Sequence, residues 1–210
     1  MPMELAPAHC PTLNADEAAR LFLTDHTRDG TPVVIRAITP EDKYEMRDIY
    51  PTLSERTLYM RFFRVISAPS LEAISRYTDV DFDTHLALVV LWGPEQRMVA
   101  AGRLIRATAD SDVAELSCLV IDEMQHRGIG RVLVRQLLET GREWGVNRVI
   151  ALVHAENHAM LKLLKTQGYP TELVYDEGEF TVTLDTHLPP TDDNDINHAT
   201  VGAMHQGIEA

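Results

Sequence analysis

The sequence contains no apolar run long enough to cross a bilayer as a helix, so no transmembrane segment is expected. Met1 to Cys10 lacks the basic-then-apolar pattern of a secretory leader. Cysteine is scarce: Cys10 lies in a tail-like stretch and Cys118 in a core-like strand, which does not make a disulfide framework. A reduced, cytoplasmic protein is expected. Nothing matches the spacing of a Walker A phosphate loop. The histidines are scattered, and the one His-x-x-x-His, His154 and His158, does not sit on a single helix, so no metal site is expected. Internal repeats are absent. Beyond Lys165 there is no Lys or Arg, while acids continue from Glu172 to Glu209. The net charge of −13 argues against nucleic acid and anionic membranes as partners.

What is present is an ordinary globular composition, 45% hydrophobic and 24% charged, in 210 residues, enough for one domain with a proper core. The pattern divides the chain into an N-terminal tail over 1–30, a domain over 31–187 and an acidic flexible tail over 188–210. A short helix is expected over Asn14 to Leu23, then a strand from Thr31 to Ile38. Thr39-Pro40-Glu41-Asp42 has the composition of a helix start: a capping hydroxyl, an early proline and acids at the positive end of the dipole. Ser54 and Ser70 head two further short helices. His85 to Trp92 and Arg97 to Arg106 form a hairpin across Gly93 to Gln96, followed by a strand over Val113 to Ile121. Val146 to His154 is a further strand, His158 to Gln167 a helix, and Thr171 to Tyr175 with Glu179 to Leu184 a closing pair.

The richest stretch is Gln125-His126-Arg127-Gly128-Ile129-Gly130-Arg131. An apolar run ending at Ile121 precedes it, and a long amphipathic pattern (Ile129, Val132, Leu133, Leu137, Thr140, Trp144) follows. Strand, glycine turn and helix aim successive N–H groups and a helix N-terminus at one spot, which suits phosphate. Local basicity (Arg127, Arg131, Arg135, Arg142, Arg148) agrees with an anionic ligand, although exposed helix arginines are common. A dinucleotide fold is disfavoured: Leu133 stands where a third glycine or alanine is wanted, and several strands precede the loop without intervening helices.

Gln125-x-x-Gly128-x-Gly130 after Leu119-Val120-Ile121, with a long helix behind it and Asn157 at the end of the next strand, resembles the acetyl-CoA-binding motif of the GNAT N-acetyltransferases. The element order from about Val33 to Asp185 resembles that superfamily too. A finer resemblance, carried by Val33-Val34-Ile35-Arg36, the run Leu53 to Phe63 and Ala114-Glu115-Leu116, is to bacterial protein lysine acetyltransferases of the Pat type. Such domains occur alone or fused to acyl-CoA synthetase-like or cyclic-nucleotide-binding regions, and this chain is expected to be too short for either fusion.

The resemblance implies an α+β fold: a mixed, mostly antiparallel central sheet flanked by helices, in the order β-α-α-β-β-β-α-β-α-β-β. It also implies an acetyl-CoA-dependent N-acetyltransferase acting on an amine, a protein lysine first, without metal, as a monomer or homodimer. Cys118, Leu119 and Val120 would pair with the pantetheine arm, with a bulge aiming the Val120 N–H at the thioester oxygen. The amides of His126, Arg127, Gly128, Ile129, Gly130 and Arg131 would hold the pyrophosphate. Asn157 would bind the cofactor arm, cap the next helix, or both. From strand alternation Glu115 is a strand-edge carboxylate sharing a face with Ser117 and Leu119; the resemblance makes it the general base. Many superfamily members carry a tyrosine acid seven residues after the asparagine, where this chain has Leu164. A small-molecule amine acceptor, or a non-catalytic acyl-CoA sensor, stays open from sequence.

Overall fold

The computed structural model describes residues 12–64 and 68–191. Cys10, the stretch before Thr12 and the acidic stretch from residue 192 onward lie outside the described residues. In chain order the elements are α1 (Ala15–Ala18), β1 (Phe22–His26), β2 (Pro32–Ala37), α2 (Lys43–Ile49), α3 (Glu55–Phe62), α4 (Leu71–Thr78), β3 (His85–Trp92), β4 (Arg97–Arg106), β5 (Val113–Val120), α5 (Ile129–Glu143), β6 (Arg148–His154), α6 (His158–Lys165), β7 (Thr171–Asp176) and β8 (Glu179–Asp185). All eight strands form one sheet in the order β1-β2-β3-β4-β5-β6-β8-β7. Every pairing is antiparallel except β5 with β6. No described helix is long and apolar enough to cross a membrane.

The local signals explain most of these elements. Ser54 and Ser70 accept hydrogen bonds from the N–H groups of Thr57 and Ala73 and so cap α3 and α4. The start at Thr39 forms a 3-10 turn over Pro40–Asp42, from which α2 continues. Asp42 reaches back to the Thr39 N–H at 2.7 Å and takes a two-pronged ion pair from Arg36 of β2. The continuous apolar run of β3 is buried on both faces, under α5 on one side and the α2–α4 layer on the other.

Helix α5 lies close on β4 because two glycines remove the side chains between them. A Cβ on Gly102 would stand 2.7 Å from Leu137 Cδ1 and 3.1 Å from the Cβ of Cys118, and one on Gly141 would stand 2.5 Å from Leu104 Cδ1. At the far end of α5, Trp144 is buried, donates from Nε1 to the Phe82 carbonyl at 2.8 Å and carries the Arg106 guanidinium 3.7 Å above its ring. This fixes the helix axially, and therefore fixes where its N-terminus points.

Two expectations are corrected. The helix expected over Asn14–Leu23 stops at Ala18, although its reciprocal Asn14–Glu17 cap is present. Phe22–His26 instead forms β1, so the sheet begins inside the stretch read as a tail. Its alternating exposure, with Leu23 and Asp25 turned inward, is a strand signature that was hidden by apolar residues at helical spacing. Asp25 is drawn to α5 by Arg135 and Gln136. The second correction concerns the bulge expected at Val120. The β4–β5 ladder runs in unbroken register from Ala100↔Val120 to Arg106↔Ala114, and the register shift in the sheet lies between Val90 and Leu91.

Gly102→Ala tests the helix–sheet contact. The added methyl meets the Cys118 Cβ, which sits next to backbone and cannot swing away, so a loss of about 1–3 kcal/mol in urea unfolding is expected. An unchanged midpoint would mean that α5 can lift from β4 at no cost.

Candidate functional site

A cleft opens where β5 leaves β6. The two strands pair at three positions only, Val113↔Arg148 to Glu115↔Ile150. Beyond that point β5 stays with β4 to Val120, while β6 stays with β8 out to His154↔Glu179. The Ile121 N–H donates to the Val99 carbonyl at 3.0 Å. Backbone groups alternate along a strand, so those of Ser117 and Leu119 also face β4, and those of Leu116, Cys118 and Val120 face the cleft. The Val120 carbonyl is taken by Gln125 Nε2 at 3.2 Å. The N–H groups of Cys118 and Val120 remain on an open edge, where backbone donors need solvent or a ligand. Leu119, expected to share in that edge, contributes its side chain to the opposite sheet face instead.

The glycine loop closes the end of this cleft. His126 and Gly128 both have positive φ, 62° and 88°. Helix α5 then begins with no side-chain N-cap and no acid in its first turn, so its first-turn N–H groups, those of Ile129 and Gly130 foremost, and the positive end of the dipole suit an anion. Gly128 is tied to the protein itself: besides its φ, a Cβ would stand 3.2 Å from the Arg28 backbone nitrogen in the β1–β2 turn. Gly130 is different. A Cβ there would meet only ordinary contacts, Val120 at 3.6 Å and Leu163 at 3.7 Å, so no protein crowding requires a glycine, and close approach of a ligand remains a reason for one. This donor set fits the pyrophosphate and pantetheine of a coenzyme A thioester. His126 and Arg127 are exposed. Arg131 donates from Nη1 to the Thr166 carbonyl at 3.3 Å, which commits part of its guanidinium to the end of α6. Asn157 caps α6, its Oδ1 accepting from the Met160 N–H at 3.2 Å.

The sheet face carrying Glu115, Ser117 and Leu119 looks toward α3. Glu115 is exposed and stands where the strands part, and its carboxylate makes no hydrogen bond or ion pair to any described residue. Helix α3 bridges the parting strands. Arg61 donates from Nη2 to Ser117 Oγ at 2.8 Å, and the Tyr59 ring packs edge-on to His154 of β6 at 5.4 Å. Its N-terminus is locked to the loop: Asp122 accepts from the Ser54 N–H at 2.9 Å, Ser54 Oγ at 2.6 Å and Thr57 Oγ1 at 2.8 Å, and Gln125 Nε2 reaches Thr57 Oγ1 at 3.1 Å. Sequence reasoning missed this lock. Ser54-x-x-Thr57 showed only a helix cap, and its partner lies 68 residues away. Leu164, where a tyrosine acid is common, is fully buried. The Tyr169 hydroxyl is pushed up to about 12 by burial beside Glu139, which is ten residues along α5 from its start, or about 15 Å from the loop. Tyr175 is exposed near the sheet edge.

The family model described as Acetyltransferase (GNAT) family matches residues 52–169. Acetyltransferase Pat of Mycolicibacterium smegmatis is 29% identical over 141 residues, which cover 67% of this chain and 42% of that protein. The chain thus spans less than half of that relative. An acetyltransferase of Pseudomonas aeruginosa is 28% identical over 143 residues, 67% of this chain and 76% of that protein. Among solved structures, the GNAT domain of PAT from S. lividans superposes with a TM-score of 0.72 at 29% identity, covering 78% of this chain and 96% of that one.

The Asp122 lock is open to a direct test. Partial burial pushes the Asp122 carboxyl up, but the bonds from Ser54 and Thr57 outweigh it and hold the pKa below the ordinary value. Wild type therefore keeps this contribution above the ordinary carboxylate pKa and loses it as pH falls through the lower, folded-state value. Asp122→Ala should lower urea stability by about 1–2 kcal/mol at neutral pH. The gap between the two proteins should narrow in acid; a constant gap would contradict the lock.

Proposed function

Because the chain belongs to the GNAT acetyltransferase family, we propose that it transfers the acetyl group of acetyl-CoA to the side-chain amine of a protein lysine, with Glu115 as general base. The observation that carries this reading is the unpartnered Glu115 carboxylate at the point where β5 and β6 separate, beside the open Cys118–Val120 edge. The named activities of the relatives support the transfer. The protein acceptor is supported by their kinship and by the sheet beyond α3, where Leu152 and Val174, on the Glu115 face, are 50% and 54% exposed.

The amine sets the main barrier. A lysine ammonium has a pKa of about 10.4, so supplying the neutral form near neutral pH costs roughly 4 kcal/mol. Glu115 takes that proton, directly or through a water, as the nitrogen lone pair attacks the thioester carbonyl carbon. The Val120 N–H, on the cleft edge, donates to the carbonyl oxygen as negative charge develops there. Cys118 and Val120 align the pantetheine as an added strand. The amides from His126 to Arg131 hold the pyrophosphate, with charge from Arg127 and Arg131, and Asn157 steadies the arm from the β6 side. The carbon–sulfur bond then breaks. A CoA thiol with a pKa of about 8.5, by analogy with cysteine, leaves as thiolate without a dedicated acid, which accommodates Leu164.

Glu115→Gln should lower kcat by about 10²–10⁴-fold while leaving CoA affinity by calorimetry unchanged. Turnover at the wild-type rate would remove Glu115 from the chemistry. Acetylation confined to polyamines and free amino acids in a mixed acceptor panel would rule out the protein acceptor.

A further inference from the structure

A cavity of about 70 Å³ lies between α2–α4 and the sheet, on the Glu115 side; its walls are mostly apolar, and Arg61, Arg103 and Ser117, with Tyr50 and Tyr77, give it one polar side. It is large enough for several waters or one small polar group. Two cations meet there without an acid. Arg103, opposite Ser117 in the β4–β5 ladder, is only 5% exposed. Its guanidinium lies 4.8 Å from the centre of the Tyr77 ring, and its Nη1 is 3.2 Å from His85 Nε2. His85 cannot offset the charge, since burial and then Arg103 itself push its pKa down to about 4, leaving a neutral acceptor. Burial and then Arg61 lower Arg103 to about 10, which leaves it protonated at neutral pH. Arg61 holds Ser117 Oγ from the other side.

No described carboxylate forms an ion pair with either arginine. The contrast with Arg36 is instructive: it is less buried and yet has its own carboxylate, Asp42. A core arginine held only by a ring and an imidazole is the plainer description of Arg103. It leaves a buried positive charge uncompensated beside an unfilled volume, an arrangement that is costly unless an anion completes it.

We infer that Arg103, Arg61 and Ser117 form a carboxylate-binding subsite that seats an acidic group of the acceptor next to the amine that Glu115 deprotonates. The inference rests on the proposed role of Glu115. Ser117 follows Glu115 on the same face by one strand repeat, about 7 Å. An extended peptide repeats its side-chain direction with the same period, so an Asp or Glu two residues from the lysine matches the spacing.

The test uses blocked peptides whose single lysine is the only amine, made in pairs with Glu or Gln two residues away, and acetyl-CoA as donor. Wild type should favour the Glu peptide by about tenfold or more in kcat/KM, as for a charge-assisted contact. Arg103→Met should abolish the preference while treating the Gln peptide much as wild type does, and Arg103→Lys should restore part of it. A purely structural arginine would lower both peptides together. Equal rates on the pair in wild type, a comparison that needs no variant, overturns the subsite. So does a preference that survives Arg103→Met. Preference for succinyl-CoA over acetyl-CoA, lost in Arg103→Met, overturns it by giving the carboxylate to the donor. Should no peptide react while free lysine does, with the same dependence on Arg103, the subsite stands and the protein-acceptor reading fails.

Discussion

Everything functional in this chain depends on one missing set of hydrogen bonds. Strands β5 and β6 pair over three residues and then part, leaving cleft-facing donors on Cys118 and Val120. Unsatisfied backbone groups are costly when buried, so the fold must keep this edge wet or filled, and it must stop the strands from zipping together. It does the second by committing each strand elsewhere. The β4–β5 ladder and the β6–β8 ladder both run on past the parting point. Helices α5 and α6 then wedge beneath the gap, with Cys118 meeting Met160 and Gly130 lying against Val120 and Leu163. The opening is thus a product of rigid parts rather than of a flexible one.

The same economy links the two halves of the proposed reaction. Helix α3, which borders the proposed acceptor side, has its N-terminus fastened to Asp122 and Gln125, and Gln125 also takes up the Val120 carbonyl on the cleft edge. One glutamine therefore touches the proposed donor edge and the acceptor helix at once. In the family motif Gln125 reads as part of the phosphate loop, but its side chain is spent on this internal bracing. The loop's anion chemistry is left to backbone donors, as expected where a helix N-terminus carries neither cap nor acid.

What was legible in the sequence follows from how local each signal is. The amphipathic period of α5, the continuous apolar run of β3 and the serine caps of α3 and α4 act within a few residues, and those elements stand where the pattern put them. Strand β1 was lost because Ala18 and Leu21 imitate a helical face, and because Phe22–His26 is held by its ladder with β2 and by an ion pair from Asp25 to α5, 110 residues away. The supposed bulge was a borrowed feature, and the unbroken β4–β5 register displaces it. The splay that replaces it has no sequence signature, since it arises from competition among three ladders.

Charge teaches the same point at the site. The net acidity of the chain argues against nucleic acid and anionic membranes as partners, while the bases near the loop suit an anionic ligand. Neither average describes the proposed acceptor face. There, a carboxylate without a described partner, Glu115, and a buried arginine without an acid, Arg103, sit on neighbouring strands. Solvent screens the exposed Glu115, whereas the buried Arg103, in a low-dielectric setting, keeps most of its reach. A site built this way distinguishes partners by where their charges fall and not by how many they carry. The relevant question about an acceptor is then the distance between its amine and its nearest acid.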